Sequence, residues 1–200
     1  MADLTDRTLI TEEDIRGAGI GDTLRISDRA LVTPLAADLA RERHIRLERA
    51  AGKAARRKIA IGADHGGLEM KEALKGVLDE IGFDYQDFGT HSTEAVDYPD
   101  FAHAVALAVS RKKLDLGIMV DGAGIGSCMV ANKVPGIRAA MCYDEASARS
   151  SREHNGANVL TLGGKVISID EMRKIVRAWL STELTEERHR RRVAKIDALL

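Results

Sequence analysis

Sulfur is scarce in this chain. Two cysteines, Cys128 and Cys142, in 200 residues exclude a disulfide framework, and no CxxC or Cys/His metal spacing exists. Also lacking is an apolar run of about 18 residues, the least that a membrane-spanning helix needs. The opening residues, Met1 to Asp6, are acidic and carry no apolar secretory core, so the expected location is the cytoplasm. Net charge is close to nil: 30 Lys and Arg stand against 31 Asp and Glu, a formal −1. That balance demands neither nucleic acid nor a membrane surface as partner. Basic residues cluster only locally, at Arg56-Arg57-Lys58 and across Arg188–Arg192. What is plentiful is the mixture of a globular protein, 44% apolar and 30% charged.

Two parts follow along the chain. In residues 1–50, Thr11-Glu12-Glu13-Asp14 has the pattern of a capped helix start, and Gly17, Gly19 and Gly21 break that helix. Leu24–Ile26 and Ile45–Leu47 are short strands. Thr33-Pro34 opens a second helix with Thr as cap and Pro in its first position. Leu35, Leu39 and the alanines at 36, 37 and 40 form its apolar stripe. Glycine-broken helices of this length are expected to bury little core alone. Residues 51–57, with Ala50, form a small, basic linker.

From Lys58 the pattern becomes strand–helix repetition. Strands are expected at Lys58–Gly62, Tyr85–Phe88, Leu116–Val120, Ile137–Cys142 and Val159–Leu162. Helices are expected at Leu68–Ile81, Tyr98–Ser110, Ser127–Asn132, Asp144–Glu153, Ile169–Leu180 and Thr185–Leu199. Such alternation implies an α/β fold, a parallel sheet covered by helices on both faces. Ligands of such sheets lie beyond the carboxyl ends of the strands.

The first strand-end loop, Gly62 to Gly67, sets Asp64 beside His65. An Asp can bind a hydroxyl or cap the next helix, and a His can bind phosphate or move protons. The third strand ends in Asp121-Gly122-Ala123-Gly124-Ile125-Gly126-Ser127, whose glycines expose backbone N–H groups to an anion. A dinucleotide site is the rival reading, with Asp144 at the distance of a ribose-binding acid. The spacing is GxGxG rather than GxGxxG, the helix is short, and the loop does not open the domain. On the last helix Arg188 and Arg192 are four residues apart and share a face. Paired guanidiniums fit phosphate oxygens; a solvated basic face is the alternative.

Six ordered motifs carry a resemblance: Ile59-Ala-Ile-Gly-Ala-Asp64-His65-Gly, Asp97-Tyr98-Pro99, Asp121-Gly-Ala-Gly-Ile-Gly126, Ala131-Asn132-Lys133, Arg152-Glu-His154-Asn155, and Arg188-His189-x-x-Arg192. Through them residues 58–200 resemble the ribose-5-phosphate isomerase B family, which includes the galactose-6-phosphate isomerase subunits. The resemblance implies a three-layer sandwich, Rossmann- or flavodoxin-like and without nucleotide, cofactor or metal. It also implies a homodimer or dimer of dimers with its active sites at the subunit interface. The substrate is then a phosphorylated sugar, with ribose 5-phosphate to ribulose 5-phosphate the leading reaction and other four- to six-carbon sugars behind it. Asp64, His65, His154 and Asn155 are implied to bind sugar, His154 opening its ring. Arg188 and Arg192 hold phosphate. The loop Gly122, Ala123, Gly124, Ile125 and Gly126 stabilises the enediolate, and Tyr98, Ser127, Asn132 and Lys165 complete the binding set.

Departures from the family concern the base. One branch has Cys where this chain has Asp121, and another has Glu where it has Ser127. Ala123 replaces a Thr or Ser, and Lys165 an Arg. Asp121 is therefore the expected base, ahead of Cys128, with lost catalysis and a pure phosphosugar-binding module as the further alternative. Separately, Leu31 to Arg43 resembles a segment of bacterial microcompartment proteins. That likeness implies that residues 1–50 are an extension that attaches to a shell protein or contacts a neighbouring subunit.

Overall fold

The computed structural model describes residues 2–27, 30–49 and 57–199. The chain divides into two compact units, Met1–Ala55 and Arg56–Leu200. The linker expected at Ala50–Arg57 falls outside the described residues except for Arg57.

The first unit runs β1 (Ala2–Leu4), β2 (Leu9–Ile10), α1 (Glu12–Arg16), β3 (Thr23–Ile26), β4 (Leu31–Val32), α2 (Pro34–Glu42) and β5 (Arg46–Arg49). Two small parallel sheets result, β1-β3-β5 and β2-β4. Both helix starts follow from their caps. The Thr11 N–H donates to Asp14 at 2.9 Å, and the Thr33 hydroxyl accepts from the Ala36 N–H at 3.2 Å with Pro34 in the first position.

This unit corrects two expectations. It has a core of its own, in which Ile10, Ile15, Leu24, Ile26, Ala36, Ala40 and Ile45 are buried. The missing contribution came from β1, β2 and β4, which are too short to show periodicity. The stripe on α2 is also different. Leu35 is 56% exposed, whereas Ala36 and Ala40 are buried. Helices α1 and α2 pack against each other, and alanine is the side chain that allows a close approach.

The second unit runs β6 (Lys58–Ala63), α3 (Leu68–Ile81), β7 (Asp84–Asp87), α4 (Tyr98–Ser110), β8 (Leu116–Asp121), α5 (Ile125–Ala131), β9 (Ala139–Met141), α6 (Glu145–Glu153), β10 (Val159–Gly163), α7 (Ile169–Ser181) and α8 (Glu187–Asp197). Its five strands are parallel in the order β7-β6-β8-β10-β9. Side chains of β6 alternate between two cores. Ile59 and Ile61 join Leu74, Leu78, Met172, Val176 and Trp179 from α3 and α7. Ala60 joins Val105, Val109 and Ala131 from α4 and α5. The result is the expected three-layer α/β sandwich. Relative to the flavodoxin order, the last two strands are exchanged, so β9 takes the edge.

The chain leaves β6 for β7 on one side and returns to β8 on the other. The point where the order reverses lies between β6 and β8, and a crevice opens there at the carboxyl ends. The register sets Ala63 opposite Val120 and Asp121 opposite Gly163, so the loops after β6, β8 and β10 emerge level with one another.

Candidate active site

These three loops meet backbone to backbone. A methyl group at Gly67 would lie 2.2 Å from the Val120 carbonyl oxygen, one at Gly163 would lie 2.7 Å from that of Ala123, and one at Gly164 would lie 3.1 Å from that of Gly66. Gly124 has φ +81°, a conformation that favours glycine, and it caps α5. Asp64 is buried, and its Oδ1 accepts from the Gly67 N–H at 2.9 Å. His65 is exposed, and its Nδ1 accepts from the Val96 N–H at 3.2 Å. In the neutral ring the proton then sits on Nε2, which can donate to a ligand oxygen. The Lys165 stem runs over Gly66 and Gly122. Tyr98 stands over Gly126, where a methyl group would lie 2.5–2.7 Å from its ring and hydroxyl.

Asp121 occupies the middle of this floor and is buried. Its Oδ1 accepts from the N–H groups of Ala123, at 2.9 Å, and Gly124. Its Oδ2 accepts from the N–H of Ser127 at 3.0 Å and from the Ser127 hydroxyl. Four donors fill the lone-pair capacity of a carboxylate. Asp121 therefore orders the loop that it was expected to serve as base. Two of the N–H groups expected to meet an oxyanion, those of Ala123 and Gly124, are turned to it. Ile125 and Gly126, at the start of α5 where no intrahelical acceptor exists, keep theirs.

One further expectation changes, that for Asn132. The Asn132 amide donates to the carbonyls of Cys128 and Ala139 and accepts from the Ala139 N–H at 2.8 Å. It ties α5 to β9 rather than facing the crevice. Cys128 points the same way, its Sγ 3.4 Å from the Ala139 carbonyl, and burial pushes its thiol above the ordinary range.

The remaining residues form a second group, away from the crevice. His154 caps the end of α6 and Asn155 follows it, ahead of β10. The His154 ring lies 4.5 Å from that of His189 on α8. Arg188 and Arg192 flank His189 and are exposed. His189 is buried, and neither ring nitrogen has a hydrogen-bond partner. Burial pushes its imidazole below the usual histidine range, with the charges of Arg188 and His154 adding to the effect. Because α6 leads into β10, this group lies at the amino end of that strand, while Asp64, Asp121 and Lys165 lie at the carboxyl end.

Sequence reasoning missed one network beside the crevice. Lys71 of α3 is fully buried; its ammonium donates to both Asp87 oxygens at 2.8 Å and to the Thr90 carbonyl at 2.6 Å. Thr90 in turn donates its N–H to the Ala63 carbonyl at 2.6 Å, so the network braces the loop that bears Asp64. The signal was a lysine three residues from both Leu68 and Leu74, on the inner face of its helix. Among the described residues no cluster of three or more His, Cys, Asp or Glu could hold a metal ion.

Comparison with known proteins extends this picture. Residues 59–196 match the ribose/galactose isomerase family. The chain is 43% identical over 143 residues to ribose-5-phosphate isomerase B of Escherichia coli, covering 72% of this chain and 96% of that one. It is 42% identical over 126 residues to D-erythrulose-4-phosphate isomerase of Pectobacterium atrosepticum, covering 62% and 83%. A solved structure of ribose-5-phosphate isomerase B from Clostridium thermocellum is similar with a TM-score of 0.70 and 48% identity, covering 71% and 96%. The first unit lies outside the matched stretch. Through its second unit, the chain belongs to the ribose/galactose isomerase family.

Proposed function

We propose that the second unit interconverts a phosphorylated aldose and its ketose through a cis-enediol, with ribose 5-phosphate and ribulose 5-phosphate as the leading pair. The observation that carries this reading is the crevice between β6 and β8. There an acid, an imidazole and a glycine loop lie level at the strand ends. His154 protonates the ring oxygen to open the sugar, and Arg188 and Arg192 hold the phosphate. Asp121 takes the proton from C2 and returns it to C1, while the N–H groups of Ile125 and Gly126 meet the developing oxyanion. Before it can act, Asp121 must lose one donor. The Ser127 hydroxyl is the one that can rotate away without disturbing backbone.

Solvent deuterium appearing in four-, five- or six-carbon phosphosugars, read by NMR, tests the reaction and selects the substrate. Asp121→Asn is expected to lower turnover by about 10² to 10⁴; near-normal turnover would remove Asp121 as base. The full set of donors on Asp121 supports a second reading, a phosphosugar-binding module without chemistry. Binding with no exchange on any sugar would favour that reading.

The site is further proposed to be shared between two copies. The two groups of residues lie at opposite ends of β10, whose five residues span roughly 16 Å. Ile125 and Met129, exposed on one face of α5 beside the crevice, supply an apolar surface for the partner. Mixing inactive Asp121→Asn and His154→Asn proteins should restore roughly a quarter of wild-type activity. Half the dimers are then mixed, and each mixed dimer has one intact site. No recovery after subunit exchange would overturn the shared site.

The first unit is assigned attachment, to a microcompartment shell protein or to a neighbouring subunit, with the cytoplasm as the corresponding location. Leu9 and Leu31 support this, being paired in register across β2-β4 and both exposed, as is Leu35. No described helix is long and apolar enough to cross a membrane.

A further inference from the structure

Arg152 is 8% exposed, and no carboxylate among the described residues lies within ion-pair distance of it. Its Nη1 donates to the Ala157 carbonyl at 2.6 Å and its Nε to the Thr182 carbonyl at 3.1 Å. Its guanidinium carbon stands 4.9 Å from the centroid of the buried Trp179 ring. Burial, with the nearby Arg57 charge, holds this group below the ordinary arginine range. A charge held by two carbonyls and an aromatic face, with no described carboxylate at ion-pair distance, is costly to bury, so its geometry needs a reason.

The two carbonyls supply one. Ala157 closes the turn that carries His154 and Asn155. That turn is also bonded to its own helix, with the Gly156 N–H to the Arg152 carbonyl at 3.0 Å and the Ala157 N–H to the Ser151 carbonyl at 2.9 Å. Thr182 ends α7 and begins the connection to α8. In that connection Leu184 lies against Gly156, where a methyl group would stand 3.1 Å from the Leu184 Cδ2. Arg152 thus joins the His154–Asn155 turn to the segment that delivers Arg188 and Arg192, and the contact between His154 and His189 joins them a second time.

We infer that Arg152 is a positioning residue that sets the separation between His154 and the Arg188–Arg192 pair, and thereby the carbon-chain length of the phosphosugar turned over. This rests on the isomerase reading above, in which the imidazole acts on the ring and the arginines hold the phosphate at the far end. A fixed spacing between two such anchors measures the chain between them. Misplacement by roughly 1 Å can cost about 10²-fold in rate.

The test compares wild-type protein with Arg152→Lys and Arg152→Gln on four-, five- and six-carbon aldose phosphates, with inorganic phosphate affinity measured alongside. Wild type should prefer one length. In the variants kcat/KM for that length should fall by about 10²-fold, mainly through kcat. The other lengths should change little and phosphate affinity should be retained, so the preference flattens. A folded variant that keeps the wild-type preference overturns the inference. Failure of both variants to fold, read by circular dichroism, would assign Arg152 to stability alone and overturns it too. A wild-type protein that turns over none of the sugars refutes the isomerase reading itself, an outcome distinct from either.

Discussion

Gly126 and Tyr98 show how little room the site leaves. Alanine at position 126 would gain about 1 kcal/mol of helix propensity over glycine, but its methyl group would sit within 2.7 Å of the Tyr98 hydroxyl. Overpacking of that kind costs about 1–3 kcal/mol, so the clash outweighs the propensity unless Tyr98 swings out. Gly126→Ala should therefore lower kcat/KM, and Tyr98→Ala should mask much of that loss in a double-mutant cycle. Strict additivity would mean that the two side chains do not interact. His189 gives a pH prediction at the same scale. Glu186, Arg188, Arg192 and His154 surround it, and its folded-state proton affinity is lowered. Above the unfolded value, near pH 6.5, the ring is neutral in both states and its full contribution is present. As pH falls below about 6.5 the unfolded chain takes the proton first, so stability declines until the lowered folded value is passed. Melting temperature should drop between pH 7.5 and 5.5, and His189→Gln should shrink that drop. An unchanged difference would place the acid sensitivity elsewhere.

At the scale of elements, helices were legible wherever a cap or a long amphipathic stripe marked them. The bounds Leu68–Ile81 and Tyr98–Ser110 were both read from sequence and found in the structure. The strands β1, β2 and β4 were not legible, since two or three residues carry no period. The crevice was legible because glycines and acids cluster after strands. The brace behind it was hidden because Lys71 reads as one more charge on a helix. That brace should respond asymmetrically. Burial alone would raise the Asp87 carboxyl, but Lys71 and Lys75 outweigh it and hold it below the usual range. Lys71→Met leaves Asp87 paired with Lys75 at 2.7 Å and should be the milder change. Asp87→Asn leaves the fully buried ammonium with only the half-exposed Glu72 carboxylate, 3.6 Å away, as counter-charge, and should be the costlier change, up to about 3–5 kcal/mol. Urea unfolding of both variants decides the order, and equal losses would contradict this account. The Asp87 contribution is present above its unfolded value, near pH 3.9, and is lost as pH falls further through the lowered folded value.

For the whole molecule, each unit has its own buried cluster, and every family motif lies in the second. Removing residues 1–55 should leave a folded protein with little change in kcat while altering its assembly state or its co-purification with shell proteins. A truncated protein that is soluble and correctly assembled but inactive would show that the first unit contributes to catalysis. The glycine contacts beneath the crevice have a last consequence at this scale. Where Gly67, Gly163 and Gly164 bring main chain against main chain, the floor has few rotamers to freeze when a ligand arrives. Ordering an adaptable pocket costs about 0.5–1.5 kcal/mol for each immobilised side chain, and here most of that cost is met during folding. Calorimetry of phosphosugar binding should accordingly show a small conformational-entropy penalty. What penalty there is should come from the long, exposed side chains of Lys165, Arg188 and Arg192 rather than from the loops themselves.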